Sequence, residues 1–154
     1  MPALACDAHC HVFGPAIAFP YDPKAAYHPP DAPFDALRRL HGKLGIERAV
    51  IVHASCHGAD MRATLDALAR SGGRYRGTAI VDETVSDADF DRMHEAGIRG
   101  VRFNFVRHLG GRPDMVFFRR TAERLKALGW HLILHLDAGD IVEFQDLFRA
   151  ALLA

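Results

Sequence analysis

The chain of 154 residues carries 19 basic and 19 acidic side chains, no formal net charge and 49% hydrophobic residues, the make-up of one globular domain with a real core. That balance leaves no clustered basic surface of the kind nucleic acid or an anionic membrane requires. Three cysteines (Cys6, Cys10, Cys56) lack disulfide-framework spacing, and neither a signal peptide nor an apolar run of about 18 residues appears, so a reducing cytoplasm is expected.

Asp7-Ala8-His9-Cys10-His11 reads as a strand that Gly14-Pro15 brings to a stop. Strict alternation puts Asp7, His9 and His11 on one face, and Cys6, Ala8, Cys10 and Val12 on the other. Two imidazoles at a strand terminus stand where parallel α/β folds carry active sites; the competing reading is a pair of core histidines, each satisfied by one hydrogen bond. The cysteines, on the opposite face, read as small packing residues rather than metal thiolates. Residues 13–33 hold too many prolines for regular structure and too many aromatics for disorder. Within this loop Tyr21 and Tyr27 either reach over a site or pin the loop down.

A helix over Phe34–Leu44 is marked by Phe34, Leu37, Leu40 and Leu44 at helical spacing, with Gly45 as its cap. Ala49–Ser55 is a nearly continuous apolar run, a strand buried on both faces. A second helix spans Ala59–Arg70 and ends at Ser71-Gly72-Gly73; a third strand spans Arg76–Val81, with Asp82 at its end. Ser86 then caps a helix, with Asp89 as an approximate capping-box partner. In the strand Gly100–Phe105, Val101, Phe103 and Phe105 share one face, and Arg102 and Asn104 share the other. An inward guanidinium needs an anion or a salt bridge, and both remain open. Met115–Leu128 is an amphipathic helix with Val116, Phe117, Ala122, Leu125 and Leu128 turned to the core. The strand His131–Asp137 puts His135 and Asp137 on one face, and a last helix, Ile141–Leu153, has Ile141, Phe144, Leu147, Phe148 and Leu152 in register.

Strand followed by helix, five times over, predicts an α/β fold with parallel strands. Polar residues fall late in each strand: His9 and His11, His53 and Ser55, Asp82, Arg102 and Asn104, His135 and Asp137. A barrel with its site at the C-terminal face of the strands produces that bias.

The segments Asp7–Pro15, Phe19-Pro20-Tyr21, Pro29–Pro33, His57-Gly58 and Gly100–Phe105 resemble the amidohydrolase superfamily, and within it the 2-pyrone-4,6-dicarboxylate lactonase group. The resemblance covers the whole chain and implies that residues 1–154, with about five strand–helix units, are the N-terminal portion of an amidohydrolase domain, a partial (β/α)8 TIM barrel. It implies a barrel hydrolase that opens lactones of small carboxylated aromatic-degradation intermediates without a metal, so no cofactor is expected. His9 and His11 would polarise the ester carbonyl, Arg102 would hold a substrate carboxylate, and Tyr27 and Ser55 would line the pocket. The position of a second arginine is taken by Arg107 or His108, and Asn104 and His135 are additional candidates. A complete barrel needs about 250 residues, so the chain reads as the N-terminal part of such a hydrolase. The later histidine and the water-activating aspartate of the group would then be missing, and the chain alone would be inactive or nearly so. The alternatives are a zinc-dependent amidohydrolase or decarboxylase with His9 and His11 as ligands, and a non-catalytic half-barrel that assembles with another chain. The expected partner is a small-molecule substrate, with self-association through exposed barrel edges.

Overall fold

The computed structural model describes residues 1–153, with side chains through Arg149. The chain forms two compact units, Met1–Arg99 and a second that begins at Gly100. In the first, strands β1 (Cys6–Cys10), β2 (Arg48–Val52) and β3 (Tyr75–Ala79) alternate with helices α1 (Phe34–Leu44), α2 (Arg62–Arg70) and α3 (Asp87–Glu95). β1 pairs with β2 and β2 with β3, both in parallel. Strand β4 (Ile98–Asn104) leads into the second unit, where it pairs in parallel with β5 (His131–His135); α4 (Met115–Leu128) joins them, and α5 (Ala138–Glu143) and α6 (Gln145–Leu153) follow. The expected five strand–helix repeats with parallel strands are all present.

Local signals explain most boundaries. Gly45 ends α1 at φ 69°, where its N–H and that of Ile46 close on Gly42 O and His41 O. Ser86 and Asp89 make a reciprocal capping box at the start of α3. The Asp114 carboxylate accepts from the N–H groups of Val116 and Phe117 at 2.9 and 2.8 Å, and Gly129 closes α4 in the left-handed region. The strands β2 and β5 end earlier than their apolar runs, at Val52 and His135, so His53, Ser55 and Asp137 sit just beyond them. The long final helix is broken at Phe144 because the Asp137–Asp140 capping box starts a separate short helix, α5. The side chain of Leu152 lies outside the described residues.

Two helices are rotated from the expected faces. In α1, Leu40 and Leu44 are exposed while Phe34 and His41, seven residues apart, are buried. In α4, Val116 is 76% exposed, and Phe117, Phe118, Thr121 and Leu125 form the buried stripe. Phe118 stacks edge-on against Phe103 and Phe105 at 5.0 and 5.8 Å, so the Val101-Phe103-Phe105 face of β4 does lie under a helix.

Gly77, in β3, is required by packing. A Cβ there would stand 2.7 Å from Ile98 Cδ1 and 3.0 Å from Leu68 Cδ1, the ends of two buried side chains that would have to shift. Gly77→Ala is expected to lower stability by about 1–3 kcal/mol through overpacking, read as a drop in the urea midpoint at unchanged slope. An unchanged midpoint would show that the core relaxes around the methyl.

Candidate active site

The first strand is not regular. Asp7 pairs with Ala49 and Cys10 with Ile51, so three steps along β1 match two along β2, and Ala8 and His9 together face Val50. This is a β-bulge, and it shifts the side-chain phase by one residue. Asp7 therefore leaves the face of the two imidazoles and joins Cys10 on the face that carries the buried Ala49 and Ile51, against the expectation from strict alternation. His9 and His11 do stay together, their rings edge-to-face at 5.1 Å.

His11 stands one residue past the end of β1, with its Nδ1 2.7 Å from Val52 O at the end of β2. A carbonyl only accepts, so Nδ1 carries the proton and Nε2 is the nitrogen turned away from the strand. As a neutral ring His11 offers a lone pair at Nε2; as an imidazolium it offers an N–H there. Phe13 packs on the other side of the ring at 5.7 Å, which leaves the imidazole one orientation.

The loop beyond is tied at its base and inside. Phe13 and Ala32 exchange backbone hydrogen bonds at 3.0 and 2.8 Å. Asp31 Oδ1 accepts from Ala16 N–H at 3.0 Å and from the Tyr21 hydroxyl at 3.2 Å. Gly14 lies at φ 65°, and a Cβ on it would meet that same carboxylate oxygen at 2.4 Å. His57, in the short helical turn Ser55–His57 after β2, donates from Nδ1 to Pro20 O at 3.3 Å and accepts at Nε2 from Gly14 N–H at 3.4 Å. Both bonds together define a neutral ring that locks the loop to the end of β2. Tyr21 packs on His57 at 4.9 Å, and burial together with Asp31 pushes its hydroxyl up to about 12. Of the two readings for Tyr21, pinning the loop is the one realised. Tyr27 is 39% exposed, and Ser55 opens the turn Ser55–His57. His53 is a buried structural residue between Thr64 Oγ1 (2.8 Å) and Gly58 O (3.0 Å).

In the second unit, Arg102 is buried at 7% exposure on β4, opposite Ile133 of β5. Asn104 and His135 are register partners, and His135 Nδ1 donates to Asn104 Oδ1 at 3.2 Å. The His108 ring stands edge-on to His135 at 6.4 Å. Arg107 is exposed in the turn Arg107–Leu109. Arg102, Asn104 and His135 thus cluster toward the C-terminal ends of β4 and β5, as His9 and His11 do at β1.

The amidohydrolase family model matches residues 6–151. The chain belongs to the amidohydrolase family. It is 47% identical over 150 residues to a 2-pyrone-4,6-dicarboxylate hydrolase of Comamonas testosteroni, covering 97% of this chain and 49% of that protein. It is 39% identical over 142 residues to a 4-sulfomuconolactone hydrolase of Hydrogenophaga intermedia, covering 92% and 47%. A solved structure from Agrobacterium tumefaciens is similar over 99% of this chain and 55% of its own, with a TM-score of 0.85 at 25% identity. The structure of a probable 2-pyrone-4,6-dicarboxylic acid hydrolase from Acinetobacter baumannii gives 0.83 at 23% identity and shows the fold alone. The chain has the partial barrel fold, and it spans about half the length of the curated relatives it matches.

Two features of this amidohydrolase chain escape a reading of the sequence. One is the bulge, which periodicity cannot reveal. The other is His41, a polar residue inside a helix, whose only signal is its seven-residue spacing from Phe34. Among the described residues, the one convergent group of three donors is Asp7, Cys10 and His41, which contains neither His9 nor His11.

Proposed function

We propose that this chain supplies the N-terminal half of a metal-independent lactone hydrolase, with a small lactone bearing an anionic group as substrate. The observation that carries the reading is the pair His9–His11 at the end of β1, with the His11 ring fixed by Val52 O. Water adds to the lactone carbonyl, the carbonyl oxygen becomes an oxyanion, and the ring C–O bond then breaks to leave a carboxylate and an enol. His9 and His11 stabilise that oxyanion by N–H donation, the service that oxyanion holes provide. Because Nδ1 of His11 is committed to Val52 O, donation from Nε2 requires the imidazolium form. The proton from water goes to a carboxylate base supplied by the other half of the barrel. No step is routed through a metal ion.

Both relatives are named for anionic lactones, a dicarboxylate and a sulfonate, and a buried arginine suits such groups through its planar fork of donors. Arg102 is assigned that contact. His108 takes the place of a second arginine, with His135 and Asn104 in the same unit, while Tyr27 and Ser55 of the first unit are assigned further substrate contacts. Arg102→Met is expected to raise KM for 2-pyrone-4,6-dicarboxylate roughly 10- to 100-fold, from the loss of charge-assisted hydrogen bonds worth about 1.5–3 kcal/mol. KM for an uncharged pyrone should hardly move. Equal effects on both substrates would remove Arg102 from the anion site.

The function itself is tested by co-expressing the chain with the C-terminal half of the Comamonas relative and following loss of pyrone absorbance. A co-eluting pair that hydrolyses the lactone supports the reading. An assembled pair that leaves it intact overturns it.

A further inference from the structure

The bulge that carries Asp7 away from the imidazole pair carries it toward His41 and Cys10. His41 Nε2 lies 3.2 Å from Asp7 Oδ2, and the donor atoms of Asp7, Cys10 and His41 all fall within 4.8 Å of one another. We propose that Asp7 Oδ2, Cys10 Sγ and His41 Nε2 form a binding site for a divalent transition metal of the zinc class, on the α1-covered face of β1.

The geometry suits such an ion. Ligand atoms about 2.0–2.3 Å from a tetrahedral centre stand roughly 3.3–3.6 Å apart, close to the separation found between Oδ2 and Nε2. The other nitrogen of His41, Nδ1, meets the Tyr75 hydroxyl at 2.7 Å, the outer hydrogen bond that metal-bound histidines use to fix ring orientation. Tyr75 sits on β3 and His41 on α1, so the ring is held from two elements. Charge also balances: a carboxylate and a thiolate cancel a dication, and the set becomes neutral in a place where His41 is 1% and Cys10 9% exposed. A cavity of about 310 Å³, lined by Phe34, Arg38, His41 and Tyr75 among others, opens beside His41. Without a cation, burial and the Asp7 charge push the Cys10 thiol up to about 12, which makes it inert as a nucleophile; a coordinating cation takes that proton off outright.

The competing arrangement is a metal-free hydrogen-bond chain, Tyr75 to His41 to Asp7, with Cys10 donating to Val50 O at 3.4 Å. Titration of the whole chain with Co²⁺ separates the two, because a cobalt–thiolate bond absorbs in the near ultraviolet. One equivalent producing that band together with the visible bands of four-coordinate cobalt is expected, with Zn²⁺ displacing the cobalt and raising the melting temperature. Cys10→Ser should abolish the thiolate band, and His41→Gln should weaken binding at least 10-fold. Cys6→Ser, Cys56→Ser and the double variant His9→Ala/His11→Ala should leave the band intact. If Cys10→Ser does not fold, Tyr75→Phe serves in its place, with an expected loss of affinity of about 10- to 100-fold. No thiolate band in the native chain, a band that survives Cys10→Ser, a band lost with His9 and His11, or unchanged affinity in Tyr75→Phe would each overturn the assignment.

Discussion

His11→Ala should lower kcat of the co-expressed hydrolase by about 10²–10³, the loss found when one donor is removed from an oxyanion hole. The expectation follows from how the ring is held. Its Nδ1 is bonded to Val52 O and Phe13 packs against the ring, which turns Nε2 away from the strand. An interaction made only in the transition state lowers kcat and kcat/KM together and leaves KM in place, and that signature separates it from a lost binding contact. Half-buried beyond the end of β1, His11 supports little of the core, so circular dichroism and the melting temperature should stay near those of the parent. A variant with parental kcat would remove the histidine pair from the chemistry, and the proposed mechanism with it.

Phe118→Ala should destabilise the second unit by about 3–5 kcal/mol. Phe118 is fully buried, and its ring is the meeting point of Phe103 and Phe105 from the chain segment it covers. Truncation removes the transfer free energy of the ring and leaves a cavity between aromatic neighbours that cannot collapse fully. Set against a typical total of 5–15 kcal/mol for a domain, that is a large share. Guanidinium unfolding followed by far-ultraviolet circular dichroism reads it, with Val116→Ala as the control. Val116 is 76% exposed, and its truncation should fall within about 0.5 kcal/mol of the parent. Similar losses in the two variants would mean that the buried stripe of α4 runs through Val116 after all.

That comparison also marks how far the sequence can be read. The five repeats, the capping box at Ser86 and the glycine stop at 45 are local signals, and each is realised. Which face of α1 or α4 turns inward is decided by neighbours distant in sequence. Val116 and Phe117 look equally apolar in the chain, yet the stripe Phe117, Phe118, Thr121, Leu125 wins because Phe103 and Phe105 lie beneath it. In the same way, nothing in Asp7-Ala8-His9 announces that Ala8 and His9 will share one partner. Alternation therefore placed His9 and His11 together and misplaced Asp7. The buried trio of Asp7, Cys10 and His41 was out of reach for that reason, since it needs both the bulge and the rotated helix. The candidates Arg102, Asn104 and His135 were legible because β4 and β5 pair without any such irregularity.

The Phe13–Ala32 bridge gives the segment between them the character of an exchangeable cassette. Its two ends are clamped to each other by two backbone hydrogen bonds, and lengthening the loop between them costs only about 0.6 kcal/mol of closure entropy per doubling. A lineage can then lengthen, shorten or replace residues 23–30, beyond the contacts of Pro20 and Tyr21 with His57, while β1 and the imidazoles at its end stay where they are. Tyr27, the pocket candidate carried by this segment, travels with the cassette. Grafting the corresponding loop from the sulfomuconolactone hydrolase onto the Phe13–Ala32 clamp is the direct way to exploit it.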